Sequence, residues 1–322
     1  MHILKQLLQA SYSVRVISRS QEKGEALKST FSQYKSKIEI ANVQDQLAEN
    51  AYDEAAQGVD YIIHTASPFI MNAQDVKKEL LDPAIKMAIN MLSAAHKSKS
   101  VKRVALTSSL AAIVNPFEGG LFADVTYTGE SWNPIKEEQV EGPVLGYLGS
   151  KKLAEEAAWD FVKKNKTTFD LVTHCPSLVV GKPLQHVESM AKLNTSSANI
   201  YNLFDTKKIP DNQFPFLVLV DDVAKAHVKS LEVAEAGSKR FILSGDRYSF
   251  QLIVDAIRQE FPELQKRMCV GETGVDENKG KTLARLDVSP AEKILGIQFA
   301  NWHDSIIKET VPSLLELEKR LS

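Results

Sequence analysis

Tyr147 and Lys151 stand four residues apart in GYLGSKK, and upstream the hydroxyl cluster Thr107, Ser108 and Ser109 closes an apolar run, VKRVALTSS. A phenol, an ammonium and a hydroxyl are equipment for reducing a carbonyl. A hydride acceptor needs an acid that delivers a proton to its oxygen as negative charge develops there. A free tyrosine, with a pKa of about 10, is a slow acid and a worse base near neutrality. Lys151, on the same helical face, is expected to lower that pKa. Bringing it to about 7 takes roughly 4 kcal/mol, which a cation beside a phenol supplies in a dry pocket. The spacing alone carries little weight, because a chain with eight tyrosines and 39 Lys plus Arg shows it readily by chance, and a solvated helix face has the same spacing.

Context raises its weight. The pair opens GYLGSKKLAEEAAWDFVKKN, where Leu153, Ala157 and Phe161 and the set Ala154, Ala158 and Val162 recur at helical spacing. A loop-like EGPVLG precedes it, so the pair is expected at the front of a helix over 148–164. Around it, short β-branched runs (SVRVIS, IEIANV, VDYIIHTAS, VKRVALTSS, FDLVTHCPS) alternate with helical patterns over 20–31 and 75–98. Apolar strands alternating with helices predict an α/β fold, a doubly wound, parallel Rossmann-type sheet covered on both faces. FLVLV, a helix from Asp222 to about Ala234 and FILSG follow, and residues 250–322 read as mostly helical. The expected division is a dinucleotide-binding domain over 1–175 and 217–245, with a smaller C-terminal substrate lobe over 176–216 and 246–322.

Composition narrows the function classes. The 322 residues are 43% hydrophobic and 25% charged, with a net charge of −2 at pH 7. That balance gives no electrostatic case for nucleic acid or an anionic membrane as partner. No apolar stretch approaches 18 residues, and two cysteines are too few for a disulfide framework, so a cytoplasmic protein is expected. Seven histidines show no ligand spacing, so no metal is expected. GVDENKGKT has five residues between Gly274 and Gly280 where a phosphate loop requires four, and reads as a surface loop. Asp221 and Asp222, ahead of VAKAHVKSLEVA, read as an N-cap and a helix-dipole partner rather than a hydrolytic pair. No Gly-x-Ser-x-Gly elbow supports a serine hydrolase.

Several blocks together, RSQEK (19–23), HTASPF (64–69), RVALTSS (103–109), ESWNP (130–134), YLGSKKLAEEAAW (147–159), CPSLVVGKP (175–183), LNTS (193–196) and DVAKAH (222–227), resemble the extended short-chain dehydrogenases. Within them the chain is similar, end to end, to the fungal NADPH-dependent methylglyoxal or isovaleraldehyde reductases, relatives of plant dihydroflavonol reductase. The resemblance implies that Tyr147 donates the proton, that Lys151 lowers its pKa and bonds the nicotinamide ribose, and that Ser109, ahead of Ser108, orients the carbonyl. It implies that Pro176 to Val179 line the nicotinamide, that Thr65, Ala66, Ser67 and Pro68 let the adenosine half approach the backbone, and that Asn42 and Val43 flank the adenine. The family usually has an Asp at the position of Asn42.

Arg19 selects the cofactor. The end of the second strand of a dinucleotide fold carries an acid for the ribose hydroxyl of NAD, or an Arg for a 2′-phosphate. SVRVISRSQEK has no acid there and supplies Arg19 with Lys23 one turn on, which points to NADPH. Phe69, Leu110, Val144, Leu178 and the region near Phe204 are expected to form an apolar pocket for a small-molecule carbonyl substrate. The protein is expected to act as a monomer or homodimer.

Such a family member begins with a strand and a Gly-x-x-Gly-x-x-Gly turn. Met1 to Ala10 reads instead as the body of the first helix, and about a dozen residues, one strand plus the turn, are expected upstream of Met1 in the complete protein. Without them, the neighbouring strands lose a shared partner and the sheet must close up or fail. Three readings follow: a carbonyl reductase, a noncatalytic remnant of one or cofactor-binding regulator, and a nucleotide-sugar epimerase on the same fold, which Arg19 disfavours.

Overall fold

The computed structural model describes residues 1–70 and 73–321; Met71, Asn72 and Ser322, within the domain ranges expected above, lie outside the described residues. In chain order come α1 (His2–Gln9), β1 (Val14–Ser18), α2 (Gln21–Thr30), β2 (Ile38–Asn42), β3 (Tyr61–His64), α3 (Asp82–Ser98), β4 (Arg103–Thr107), β5 (Thr126–Tyr127) and α4 (Gly142–Asn165). Then follow β6 (Asp170–Pro176), β7 (Leu178–Val180), α5 (Thr195–Tyr201), β8 (Phe216–Leu219), α6 (Val220–Glu232), β9 (Arg240–Leu243), β10 (Asp246–Arg247), α7 (Phe250–Glu260), β11 (Arg285–Leu286), α8 (Ser289–Leu295) and α9 (Val311–Leu321).

The α/β architecture expected from the alternation is present. Four parallel strands run in the order β3-β4-β6-β9, with Leu106 paired to His64 on one side and Thr173 on the other. The central strands are apolar on both faces because helices cover both. On one face Val104, Leu106 and Leu171 pack with Met91, Leu92 and Ala158 of α3 and α4; on the other, Val172 and Phe241 pack with Val223 and Ala226 of α6. Arg103 holds the start of β4 by pairing with both oxygens of Asp170 at 2.6 and 2.8 Å. Its guanidinium also donates to the carbonyls of Ser230, Val233 and Ala234, where a cation complements the helix dipole at the end of α6.

β1 and β2 form a separate parallel pair, Val14 opposite Ile38, with α2 against them. Gly24 of α2 permits this approach, since a Cβ there would lie 2.4 Å from Ile40 Cγ2. The single sheet expected from the sequence is in two hydrogen-bonded parts: β1 pairs with β2 alone, and β3 with β4 alone, among the described residues. The sheet has not closed up. The two parts are held by side chains instead, with Leu7 of α1 packed among Ala105, Val228 and Leu231. Burying Leu4, Leu7 and Leu8 along one face of α1 contributes about 1.5–3 kcal/mol each.

A second apolar cluster draws on Val180, Ile200, Phe204 and Leu217 together with Tyr248, Ile253, Ile306, Val311 and Leu314. Its small sheet has the order β10-β8-β7. The 274–281 loop straps α7: the Glu277 carboxylate accepts from the amides of Phe250 and Gln251 and from Ser249 Oγ, which caps the helix start. Asp221 and Asp222 are not the N-cap expected. They lie in the first turn of α6, whose cap is Leu219, and there complement the helix dipole. Asp221 also accepts from His2, and Asp222 from the Ala300 amide at 2.9 Å.

Candidate active site

β4 ends at Thr107, and Ser109 caps the 3-10 turn Leu110–Ala112 that follows, its Oγ accepting from the Ala111 amide at 3.2 Å. Opposite stands α4. The helix starts at Gly142, earlier than the expected 148, so EGPVLG is its first turns and Tyr147 lies in the second turn. The signal was present: Pro143 at the helix start is pre-set in φ and lacks only a donor that has no intrahelical partner. Tyr147 Oη donates to Ser109 Oγ at 3.4 Å. Lys151 Nζ sits 5.8 Å from the Tyr147 ring centroid, and Phe69 packs edge-on against that ring at 5.2 Å.

The electrostatics differ from the expectation drawn from spacing. Burial pushes the Tyr147 phenol above its ordinary value, opposed by the Ser109 hydrogen bond rather than by Lys151. The Lys151 ammonium is itself lowered to about 8 by burial. Desolvation outweighs attraction across this distance. His64, at the end of β3, is lowered to about 4 by burial and by the Lys151 charge, and its Nε2 has no hydrogen-bond partner.

The two serines are separated by direction. Ser108 Oγ turns away to donate to Glu155 Oε2 at 2.6 Å, while Ser109 Oγ faces Tyr147. Of the other candidates, Arg19 is exposed beyond β1, and Ser20 caps α2 by accepting from the Lys23 amide at 3.3 Å. Asn42 is exposed at the end of β2. Val43 departs from expectation: its side chain packs with Tyr52 and Met91, and its amide donates to Ser18 O at 2.8 Å. Thr65, Ala66 and Ser67 follow β3 directly, Pro176 ends β6, and Val179 of β7 packs against the Val218 and Phe241 cluster.

Of the apolar wall, Phe69 and Val144 are exposed at 48% and 56%, and Leu178 is half-buried. Leu110 and Phe204 are core residues instead. The turn after Ser109 directs Leu110 under the site, among Ile113, Val114 and Tyr127, and Phe204 belongs to the cluster of Ile253 and Met268.

A dinucleotide fits this edge at both of its ends. Arg19 and the small side chains after β3 suit an adenosine half, and Ser177, between Pro176 and Leu178, has a buried Oγ with no partner. The described residues contain no glycine turn for a pyrophosphate. No group of three metal-ligating side chains exists among the described residues, and no helix there is long and apolar enough to cross a membrane.

Residues 1–284 match the 3-beta hydroxysteroid dehydrogenase/isomerase family. The chain belongs to that family. This family member is 37% identical to the putative NADPH-dependent methylglyoxal reductase GRP2 of Candida albicans, over 94% of its own length and 92% of the relative's. It is 33% identical to the NADPH-dependent methylglyoxal reductase GRE2 of Saccharomyces cerevisiae, over 99% and 96%. Its structure matches that of yeast methylglyoxal/isovaleraldehyde reductase Gre2 complexed with NADPH at a TM-score of 0.91, covering 99% of this chain and 96% of that chain. The resemblance carried by HTASPF, RVALTSS and YLGSKK is therefore borne out.

Sequence reasoning about this family member missed Glu155, Arg240 and His64. Glu155 had a signal: it lies one further helical turn beyond Tyr147 and Lys151, beside Ala158 on the inward side of the helix, and a buried charge there demands a partner. Arg240, distant in the chain, had none.

Proposed function

We propose that this protein is an NADPH-dependent reductase of small aldehydes and ketones. The observation that carries it is the Tyr147 hydroxyl pointed at Ser109 Oγ beside the half-buried Lys151 ammonium. A substrate carbonyl oxygen placed between the two hydroxyls accepts a hydrogen bond from each. NADPH, when bound, supplies the hydride to the carbonyl carbon. As charge grows on the oxygen, Tyr147 passes its proton there, and Lys151 faces the phenolate left behind. Such a positioned acid contributes about 10²–10⁴-fold in rate. The raised pKa keeps Tyr147 protonated at neutral pH, so the proton is in place, and a phenol this weakly acidic gives it up only as charge develops on the carbonyl oxygen.

The residues that would hold the cofactor are Arg19 and Lys23 at the 2′-phosphate, Asn42 and Thr65 to Ser67 along the adenosine half, Pro176 to Val179 at the nicotinamide and Lys151 at its ribose. Phe69, Val144 and Leu178 present apolar surface to the substrate, which favours small uncharged carbonyls. The relatives GRP2, a putative NADPH-dependent methylglyoxal reductase, and GRE2, an NADPH-dependent methylglyoxal reductase, support the same class. Segments 1–175 and 217–245 serve the cofactor and the remainder the substrate. The protein acts in a reducing cytosol, consistent with two free cysteines, as a monomer or homodimer.

Purified protein supplied with NADPH and methylglyoxal or isovaleraldehyde tests the proposal. Turnover is expected, and Tyr147→Phe should lower kcat by at least about 100-fold, the loss of a general acid. Absence of both NADPH binding and turnover in the unmodified protein would leave the remnant reading standing. A clear preference for NAD would revive the epimerase reading.

A further inference from the structure

Beneath the site lies a carboxylate that the proposed chemistry does not touch. Glu155 is 1% exposed and accepts from five side chains, the weakest being the Cys175 thiol at 3.7 and 3.9 Å. Thr173 Oγ of β6 reaches Oε1 at 2.6 Å, Ser108 Oγ reaches Oε2 at 2.6 Å, Trp159 Nε1 reaches Oε1 at 3.3 Å, and Arg240 of β9 approaches both oxygens at 2.8 and 3.2 Å. Arg240 carries the network outward. Its Nη1 donates to the carbonyls of Gly129 and Ser131 at 2.7 and 2.6 Å, and its guanidinium lies 3.7 Å over the Trp132 ring. The next residue, Asn133, fastens the turn after Ser109, donating from its side chain to Ala111 O and from its amide to Ala112 O, both at 2.9 Å.

Both flanks of Ser109 therefore lead back to one carboxylate: Ser108 directly, and Ala111 and Ala112 through Asn133, Trp132 and Arg240. The same carboxylate is on the helix that carries Tyr147 and Lys151. We propose that Glu155 is a positioning residue, which through Ser108 and Arg240 sets Ser109 Oγ against Tyr147 Oη. An apolar pair of equal volume would fill the space, and buried ion pairs are weak sources of stability. A carboxylate adds directional bonds that tie the serine-bearing turn to the tyrosine-bearing helix.

The proposal deepens the reductase reading and rests on it for its kinetic part, so its test has two readouts. The first is kcat against KM for the carbonyl substrate. The second, which needs no turnover, is the titration of Tyr147 followed by NMR of ring-labelled tyrosine, assigned with Tyr147→Phe. Ser108→Ala removes one hydroxyl and leaves Glu155 paired to Arg240, Thr173 and Trp159, so the fold is retained even where Glu155→Gln fails to fold.

In Ser108→Ala, kcat should fall about 10-fold with little change in the KM for NADPH, a general-acid geometry effect. The Tyr147 titration should move upward as its bond to Ser109 loosens. Glu155→Gln, where folded, should do the same more strongly. Wild-type kcat with an unmoved Tyr147 titration in folded Ser108→Ala overturns the proposal. An unmodified protein that does not turn over, with the titration still shifted by Ser108→Ala, overturns the reductase reading and keeps the positioning role.

Discussion

At the scale of residues, charge and burial compete, and the site is set by which wins. Proximity in sequence predicts that Lys151 pulls the Tyr147 phenol down; burial pushes the phenol up and the ammonium down to about 8. The consequence is a pH limb. Lys151 is charged below about 8 and loses its proton as pH rises through that value, and with it the field that favours the phenolate. We expect kcat/KM measured with NADPH varied, which reports the free enzyme, to fall on the alkaline side near pH 8. Lys151→Arg keeps its charge and should move the limb upward by at least about one pH unit, at reduced kcat because a planar fork does not replace a point charge. A wild-type profile flat to about pH 10, where a free lysine titrates, would refute the assignment.

Among the elements, β1 to β4, β6, β8 and β9 are where periodicity places them, the short β5, β7, β10 and β11 were not foreseen, and the informative departure is α4. EGPVLG contains the residues that begin a helix as well as those that make a loop, and only the packing of Gly146 and Gly149 against Val76 and Val140 selects the helix. The loop over 129–133 is placed by contacts invisible in its own sequence. Gly129 lies so close to β9 that a Cβ would sit 2.5 Å from the Arg240 backbone oxygen. Gly129→Ala must push the loop off the strand and weaken the bonds from Arg240, at a cost of about 1–3 kcal/mol. A thermal melt should show a drop of several degrees, on the order of 2–4 °C per kcal/mol for a chain of this size or somewhat smaller. An unchanged midpoint would mean that the loop yields freely.

For the whole molecule, acid is the weak direction. His227 donates from Nδ1 to Val223 O at 2.8 Å and accepts from Thr107 Oγ at 2.7 Å on Nε2, so it is held neutral; its ring lies 4.2 Å from that of His174. Burial lowers His227 to about 4, as it does His64, and lowers His174 too. A histidine whose folded pKa is depressed gives full stability above its unfolded value near 6.5 and loses it as pH falls toward 4, because the unfolded chain takes the proton first. Between pH 7 and pH 5, His227 alone should cost about 2 kcal/mol, measured by urea unfolding at the two pH values. His227→Gln should flatten that slope; a slope no smaller than wild type would show that the loss arises elsewhere.

By itself, the sequence determined what depends on local order: alternation of strand and helix, the α/β class, the pairing of Tyr147 with Lys151, and the resemblance that assigned family. The strand period and the helix period are short-range properties, and a few residues encode them. The tertiary structure alone decided which serine faces the phenol, since Ser108 and Ser109 differ only in what lies across from them. It decided that Leu110, Phe204 and Val43 are core, and that the sheet stands in two parts. It also revealed the bond between Glu155 and Arg240, 85 residues apart. Tyr147 and Lys151 were legible early because one helix turn holds both. The carboxylate network beneath them was not, because burial, direction and desolvation exist only once distant segments are packed together.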